Sequence, residues 1–230
     1  MNNYRIEAEP FPLEVNLEET ALIVIDMQKD FLYRGGYGES LGNDPEHLRR
    51  TIAPIQRLLA AARESGLLII HTREGHLPDL SDCPPTKLNR WPPGRRIGDP
   101  GPMGRILIRG EAGHAIIDEV APWPDEIVVD KPGKNAFHKT DLEAILRARG
   151  IINVLFAGVT TDVCCSTTIS GANDMGFNAL CIADGLAAYD PARHTAALEI
   201  IKAQGGIFGW VTDSVNVLSV LALHRANQPS

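Results

Sequence analysis

Short, nearly unbroken apolar runs alternate with amphipathic stretches along most of the chain. The runs are Ala21–Asp26 (ALIVID), Leu67–Thr72 (LLIIHT), Glu126–Asp130 (EIVVD), Asn153–Gly158 (NVLFAG) and Asn178–Ala183 (NALCIA), with a weaker sixth near Gly206–Phe208. They are apolar almost continuously rather than at every second position, the pattern of parallel strands buried on both faces. Between them, helical patterns run over Glu46–Ser65, Thr140–Arg149, Val163–Met175, Pro191–Ala203 and Ser214–Arg225. In the first, Leu48, Ile52, Ile55, Leu59 and Ala62 share one face, and Pro54 has to kink that helix or open a second one. Strands and helices alternating in this way predict an α/β fold: three layers, α/β/α, around a central, mostly parallel six-stranded sheet.

One segment breaks the rhythm. Arg73–Gly110 has no convincing periodic element and holds seven prolines, six glycines and six arginines. Connections this long inside a compact domain are usually functional or disordered. The prolines stiffen it, so it is expected to be an ordered excursion that covers the site or touches a neighbouring subunit. A partly mobile surface loop is the alternative.

No repeat, linker or low-complexity stretch divides the 230 residues, so residues 1–230 read as one domain with a full core. A formal charge of −7 argues against a general nucleic-acid surface, which needs clustered excess Lys and Arg. The first twenty residues carry acids throughout and lack an apolar signal core. No apolar run reaches the roughly 18 residues of a membrane helix, so no membrane partner is expected. Cys83, Cys164, Cys165 and Cys181 show neither zinc-site nor disulfide-framework spacing, and a reducing cytoplasm is the economical location.

In open parallel sheets, ligands bind beyond the carboxyl ends of the strands. Asp26 ends the first predicted strand, Lys131 follows the third, and Cys164 lies just past the fourth, where a helix begins. Each has a bland reading: strand-end turn residue, surface charge, small buried hydrophobe. A carboxylate, an ammonium and a thiol at one sheet edge are together the parts of an activated-cysteine hydrolase. The start of a helix and a nearby ammonium would both lower the thiol pKa. Free amides of the first turn would face a developing oxyanion, and Asp162 or Thr161 could cap the helix. Adjacent helical residues point about 100° apart, so Cys165 is expected to face away from the site. Cys181 reads as core, and Cys83 is undetermined. No glycine-rich turn follows a strand, so a nucleotide-dependent oxidoreductase lacks its phosphate-binding loop. An inactive binding protein is the other rival reading.

The stretches Ile23–Gln28 (IVIDMQ) and Gly158–Cys164 (GVTTDVC), with the lysine after the third strand, resemble the isochorismatase-like cysteine hydrolases. The resemblance runs from about Thr20 to Asp213. It implies a catalytic triad of Asp26, Lys131 and Cys164, a cis peptide at Val159–Thr160 beside an oxyanion site that includes Cys164, and a homo-oligomer, often a tetramer. Some members bind zinc through an Asp-x-His and a further histidine. Here Glu74, His76 and Asp79 stand in that region and the last histidine is absent, so neither metal nor other cofactor is expected.

The closer likeness is to the ureide-cleaving branch, which takes biuret, triuret or ureidoacrylate. Phe31–Tyr37 (FLYRGGY), His71–Asp79 (HTREGHLPD), Gly98–Gly110, Asp130–Lys134 (DKPGK) and Lys202–Gly209 (KAQGGIFG) most resemble the biuret hydrolases. By that resemblance Phe31, Lys134 and Gln204 contact the substrate, and the reaction is biuret and water to allophanate and ammonia. Gln204 has amide donors and an acceptor to match a planar ureide, and Phe31 could pack on its face.

Overall fold

The computed structural model of the protein describes residues 3–228. Its strands are β1 (Asn3–Ile6), β2 (Leu13–Asn16), β3 (Thr20–Ile25), β4 (Leu68–Glu74), β5 (Pro100–Gly101), β6 (Gly104–Arg105), β7 (Ile127–Lys131), β8 (Asn153–Val159), β9 (Asn178–Ala187) and β10 (Trp210–Thr212). The α-helices are α1 (Lys29–Leu32), α2 (Tyr37–Ser40), α3 (Glu46–Arg49), α4 (Ile52–Glu64), α5 (Pro85–Leu88), α6 (Leu142–Ala148), α7 (Ser166–Asp174), α8 (Pro191–Gly206) and α9 (Ser214–Ala226).

The central sheet has six strands in the order β10-β9-β8-β3-β4-β7, every neighbouring pair parallel. This is the predicted fold class. Alternation along β3 shows why the sequence looks unbroken. Leu22 and Val24 pack with Leu58, Leu59 and Val217, from α4 and α9. Ala21, Ile23 and Ile25 pack with Leu142, Leu146 and Ile169, from α6 and α7. Both faces are covered, so every position of β3 is buried. After β3 the chain builds outward through β4 and β7, then returns to the other side of β3 with β8. The direction reverses between β3 and β8, which leaves a crevice at their carboxyl ends.

Three expectations are corrected, and one element was not foreseen. The helix anticipated over Glu46–Ser65 is two helices, broken at Arg50–Thr51, with Pro54 in the first turn of α4, where its missing N–H costs no helical bond. The sixth strand is Trp210–Thr212 rather than Gly206–Phe208. Ala203 leaves helical geometry, and Gln204, Gly205 and Gly206 all take positive φ, so α8 uses this stretch to turn. A β1–β2 antiparallel hairpin also precedes the sheet. Its signal was strict alternation: Tyr4, Ile6, Leu13 and Val15 are buried between exposed Asn3, Arg5 and Glu14. Finally, neither Thr161 nor Asp162 caps the turn before α7 with its side chain.

The excursion is ordered. Tyr37, Cys83, Ile97, Ile106, Leu107 and Ile108 form a small core of their own. The short α5 and the β5–β6 hairpin lie within it, and Lys87, Arg90, Trp91, Ile97 and Leu107 wall the cleft at the crevice. Among the described residues no helix is long and apolar enough to cross a membrane.

Candidate active site

The crevice gathers Asp26, Lys131 and Cys164, all buried. Asp26 leaves β3 with φ of 48°, a left-handed conformation that swings its carboxylate under the cleft. Thr72 of β4 fixes it: the hydroxyl donates to Asp26 Oδ1 at 2.7 Å, and the Asp26 amide donates to the Thr72 carbonyl at 3.1 Å. Lys131, the last residue of β7, has its ammonium 2.7 Å from Asp26 Oδ2 and donates to the Gly133 carbonyl at 2.9 Å. Apart from this 2.7 Å contact with the ammonium, Asp26 Oδ2 has no hydrogen-bond partner. That oxygen therefore keeps a lone pair for a proton. Burial alone would lower the Lys131 pKa, but Asp26, the Cys164 sulfur and Glu74 outweigh it and raise it, so the side chain stays charged.

Cys164 sits in a π-helical turn, Thr161–Cys165, that runs directly into α7. The Val159–Thr160 peptide before it is cis, as the family resemblance implied. Gly158 takes φ of 115°, and a Cβ there would lie 2.1 Å from the Ile25 carbonyl oxygen, so only glycine lets β8 approach β3 this closely. The Thr160 carbonyl accepts from the amides of Val163 and Cys165, each at 3.1 Å. Thr161 Oγ1 lies 2.8 Å from His194 Nδ1, which ties the turn to α8. Cys165 is fully buried in the core layer with Ile169 and Phe177, as its helical phase predicts.

The resting state of the cysteine corrects the sequence reading. Burial raises the Cys164 pKa well above the ordinary thiol value, Asp26 and Glu74 add to the rise, and the opposing Lys131 and Lys134 do not cancel it. The group at rest is a thiol, and its proton has to leave as it attacks.

Glu74 is the residue that sequence reasoning did not assign to the thiol. It ends β4, fully buried, and Cys164 Sγ donates to its Oε2 at 3.5 Å. Lys134 Nζ donates to both of its oxygens, at 2.6 and 2.7 Å. Gln28 clamps the backbone there: its Nε2 donates to the Glu74 carbonyl at 3.0 Å and its Oε1 accepts from the Glu74 amide at 2.7 Å. Burial would raise the Glu74 pKa, yet Lys134, Lys131 and Lys87 hold it below the ordinary value. Strand-end position was the signal available, the same one that picked out Asp26.

The Isochorismatase domain family matches residues 20–214. The chain belongs to the isochorismatase family. Ureidoacrylate amidohydrolase RutB of Azorhizobium caulinodans is 31% identical over 216 residues, covering 90% of this chain and 92% of that protein. A cysteine hydrolase from Pseudomonas syringae pv. phaseolicola superposes with a TM-score of 0.78 at 27% identity, covering 97% of this chain and 100% of the other. N-carbamoylsarcosine amidase from Thermoplasma acidophilum gives 0.65 at 25% identity, covering 85% and 96%.

Within this isochorismatase-family crevice, Asp26, Glu74 and Cys164 bring one ligand-type atom each within 4.8 Å of one another. Such a trio suits a cation, but the Lys131 and Lys134 ammoniums already lie against the two carboxylates. The Glu74, His76 and Asp79 set considered from sequence does not converge. Asp79 is exposed and accepts from Ser81, while His76 is held between Asp82 and Lys87. Of the substrate contacts expected, Phe31 and Lys134 line the cleft with Cys164. Gln204 does not: its positive φ at the α8 bend leaves it exposed and outside the lining.

Proposed function

We propose that this chain is a cysteine-dependent amidohydrolase of small ureides, with biuret as its first substrate. The observation that carries the reading is a buried thiol between two carboxylates, each carboxylate neutralised by its own lysine. Asp26 accepts the Cys164 proton as sulfur attacks a carbonyl, which avoids a buried free thiolate. The backbone amides around Thr160 and Cys164 face the oxyanion, next to the Val159–Thr160 bond. The tetrahedral adduct collapses by breaking the C–N bond, and Asp26 returns the proton to the departing nitrogen as ammonia. Water, deprotonated by Asp26, then attacks the thioester, giving allophanate from biuret and restoring the thiol. The Lys131 ammonium, 2.7 Å from Oδ2, holds the Asp26 carboxylate in place as the proton arrives and leaves. Phe31 packs on the planar substrate and Lys134 donates to it.

A second reading takes ureidoacrylate or triuret. The cleft holds about 630 Å³ and has Arg90 and Arg193 in its lining, room and charge for a longer or acidic substrate. The relative named ureidoacrylate amidohydrolase supports it. Exposed Ile200, Val215 and Leu223 on α8 and α9 support a homo-oligomer, a tetramer in the first instance. The four free, buried cysteines suit the cytoplasm.

Ammonia release from biuret, triuret, ureidoacrylate and nicotinamide, and pyruvate release from isochorismate, tests the assignment. Turnover of biuret above the other substrates is expected. Hydrolysis of nicotinamide or isochorismate alone would overturn it, as would an active Cys164→Ser protein.

A further inference from the structure

Lys87 belongs to α5, inside the excursion, and the mechanism above gives it no task. Its ammonium reaches back to the sheet edge: it lies 2.9 Å from His76 Nε2 and 3.9 Å from Glu74 Oε1, and donates to the Pro132 carbonyl. Asp82 Oδ1, 3.0 Å from His76 Nδ1, can only accept, and burial keeps the imidazole neutral by lowering its pKa. Nδ1 therefore carries the ring proton, Nε2 is the acceptor, and Lys87 donates to it. Asp82 is held in turn by the Leu77 amide at 3.0 Å and Arg109 at 3.3 Å. A buried histidine is thus fixed in one tautomer, with one nitrogen aimed at a lysine in the cleft.

We propose that Lys87 is a positioning residue for the hydrolysis: the Asp82–His76 pair holds its ammonium against Glu74, so that the excursion fixes the charge and placement of the carboxylate beside the Cys164 thiol. This rests on the amidohydrolase reading. The groups facing Glu74 are Lys134, Lys131, Lys87, His76, Tyr37, Asp26 and the Cys164 thiol, with Gln28 on its backbone. The three lysines are not equivalent. Lys131 is committed to Asp26 at 2.7 Å. The Lys134 side chain donates to both Glu74 oxygens from the cleft wall and is 44% exposed, so it also faces a substrate. Lys87 is anchored by His76 and Pro132 and is less exposed, at 25%, so its charge stays in place whatever Lys134 binds. A Glu74 that took up a proton would lose its charge and one acceptor position, so it could no longer hold the thiol and both Lys134 contacts together. Lys87 thereby protects the working state at the acid end of the pH range.

The test compares Lys87→Met, Lys87→Arg and wild type in two measurements. The first is carboxyl ¹³C NMR of the labelled protein, with Glu74→Gln assigning the Glu74 signal. The second is the pH profile of kcat/KM on whichever ureide the wild type hydrolyses. Loss of an opposite charge at this distance raises a carboxylate pKa by about 1 unit or more. Lys87→Met is expected to move both the Glu74 midpoint and the acid limb up by about 1 unit, and Lys87→Arg to restore most of both. An unmoved Glu74 midpoint overturns the proposal whatever the activity. So does a moved midpoint with an unmoved acid limb, or a rate reduced by one factor at every pH. A wild type that hydrolyses no ureide, with the midpoint still shifted in Lys87→Met, fails the amidohydrolase reading instead and leaves the Lys87–Glu74 coupling standing.

Discussion

Asp26→Asn separates the structural role of the buried ion pair from its chemical one. The substitution keeps the shape and the bond from Thr72 to Oδ1, but it places an amide or an uncharged oxygen opposite the Lys131 ammonium, 2.7 Å away and fully buried. Breaking a buried pair by removing one partner costs about 3–5 kcal/mol, because the surviving charge is left uncompensated. At roughly 2–4 °C per kcal/mol for a chain of this size, the melting temperature falls by about 10 °C. Asp26→Asn with Lys131→Met removes both charges and recovers part of that loss, since no uncompensated charge is left buried. Activity behaves differently. Proton acceptance and return each contribute about 10²–10⁴-fold, and the double variant regains neither. Thermal melts and ammonia release on wild type, both single variants and the double variant form the cycle. A double variant as unstable as Asp26→Asn would refute the ion-pair account. Asp26→Asn turnover within tenfold of wild type would refute Asp26 as the base.

Cys164→Ser is expected to abolish turnover without unfolding, Cys165→Ser to keep most of it, and iodoacetamide labelling, mapped by mass spectrometry, to modify Cys164 at a rate that keeps rising above the ordinary thiol range because burial holds its pKa up. Equal loss in the two serine variants would contradict the assignment. Burial, with Arg73 and Arg109 against the pull of Asp130, lowers the His114 pKa from 6.5 to about 4. The unfolded chain therefore takes the proton first, and this contribution to stability is complete above 6.5 and is lost as pH falls towards about 4. His114→Phe should flatten that part of a urea-melt series, and an unchanged slope would point to another group. Gly158→Ala places a Cβ 2.1 Å from the Ile25 carbonyl at positive φ and is expected to cost about 4 kcal/mol or more, read as loss of soluble protein or of the thermal transition.

The sequence by itself determined the layered α/β fold, because strands buried on both faces leave continuous apolar runs and covering helices leave a 3.6-residue stripe. It brought Asp26, Lys131 and Cys164 together as well, because parallel strands end at one edge, so that two strand-end residues and one at the following helix start meet there. The β1–β2 alternation was also legible, though too short to outweigh the acidic residues around it. Pairing across the fold was decided only in three dimensions. The thiol pKa depends on how much solvent is excluded and on which charges lie within a few ångströms. Local sequence offered Cys164 a helix start and a lysine, while the tertiary structure added burial and two carboxylates that outweigh both. Glu74, Lys134 and Lys87 are separated by up to 60 residues along the chain, and nothing periodic links them. Gln204 shows the converse: its side chain suits a ureide, but the backbone turn at the end of α8 directs it to solvent. Local pattern sets which elements form and what their edges carry, whereas burial and long-range packing set charge states and which side chains meet.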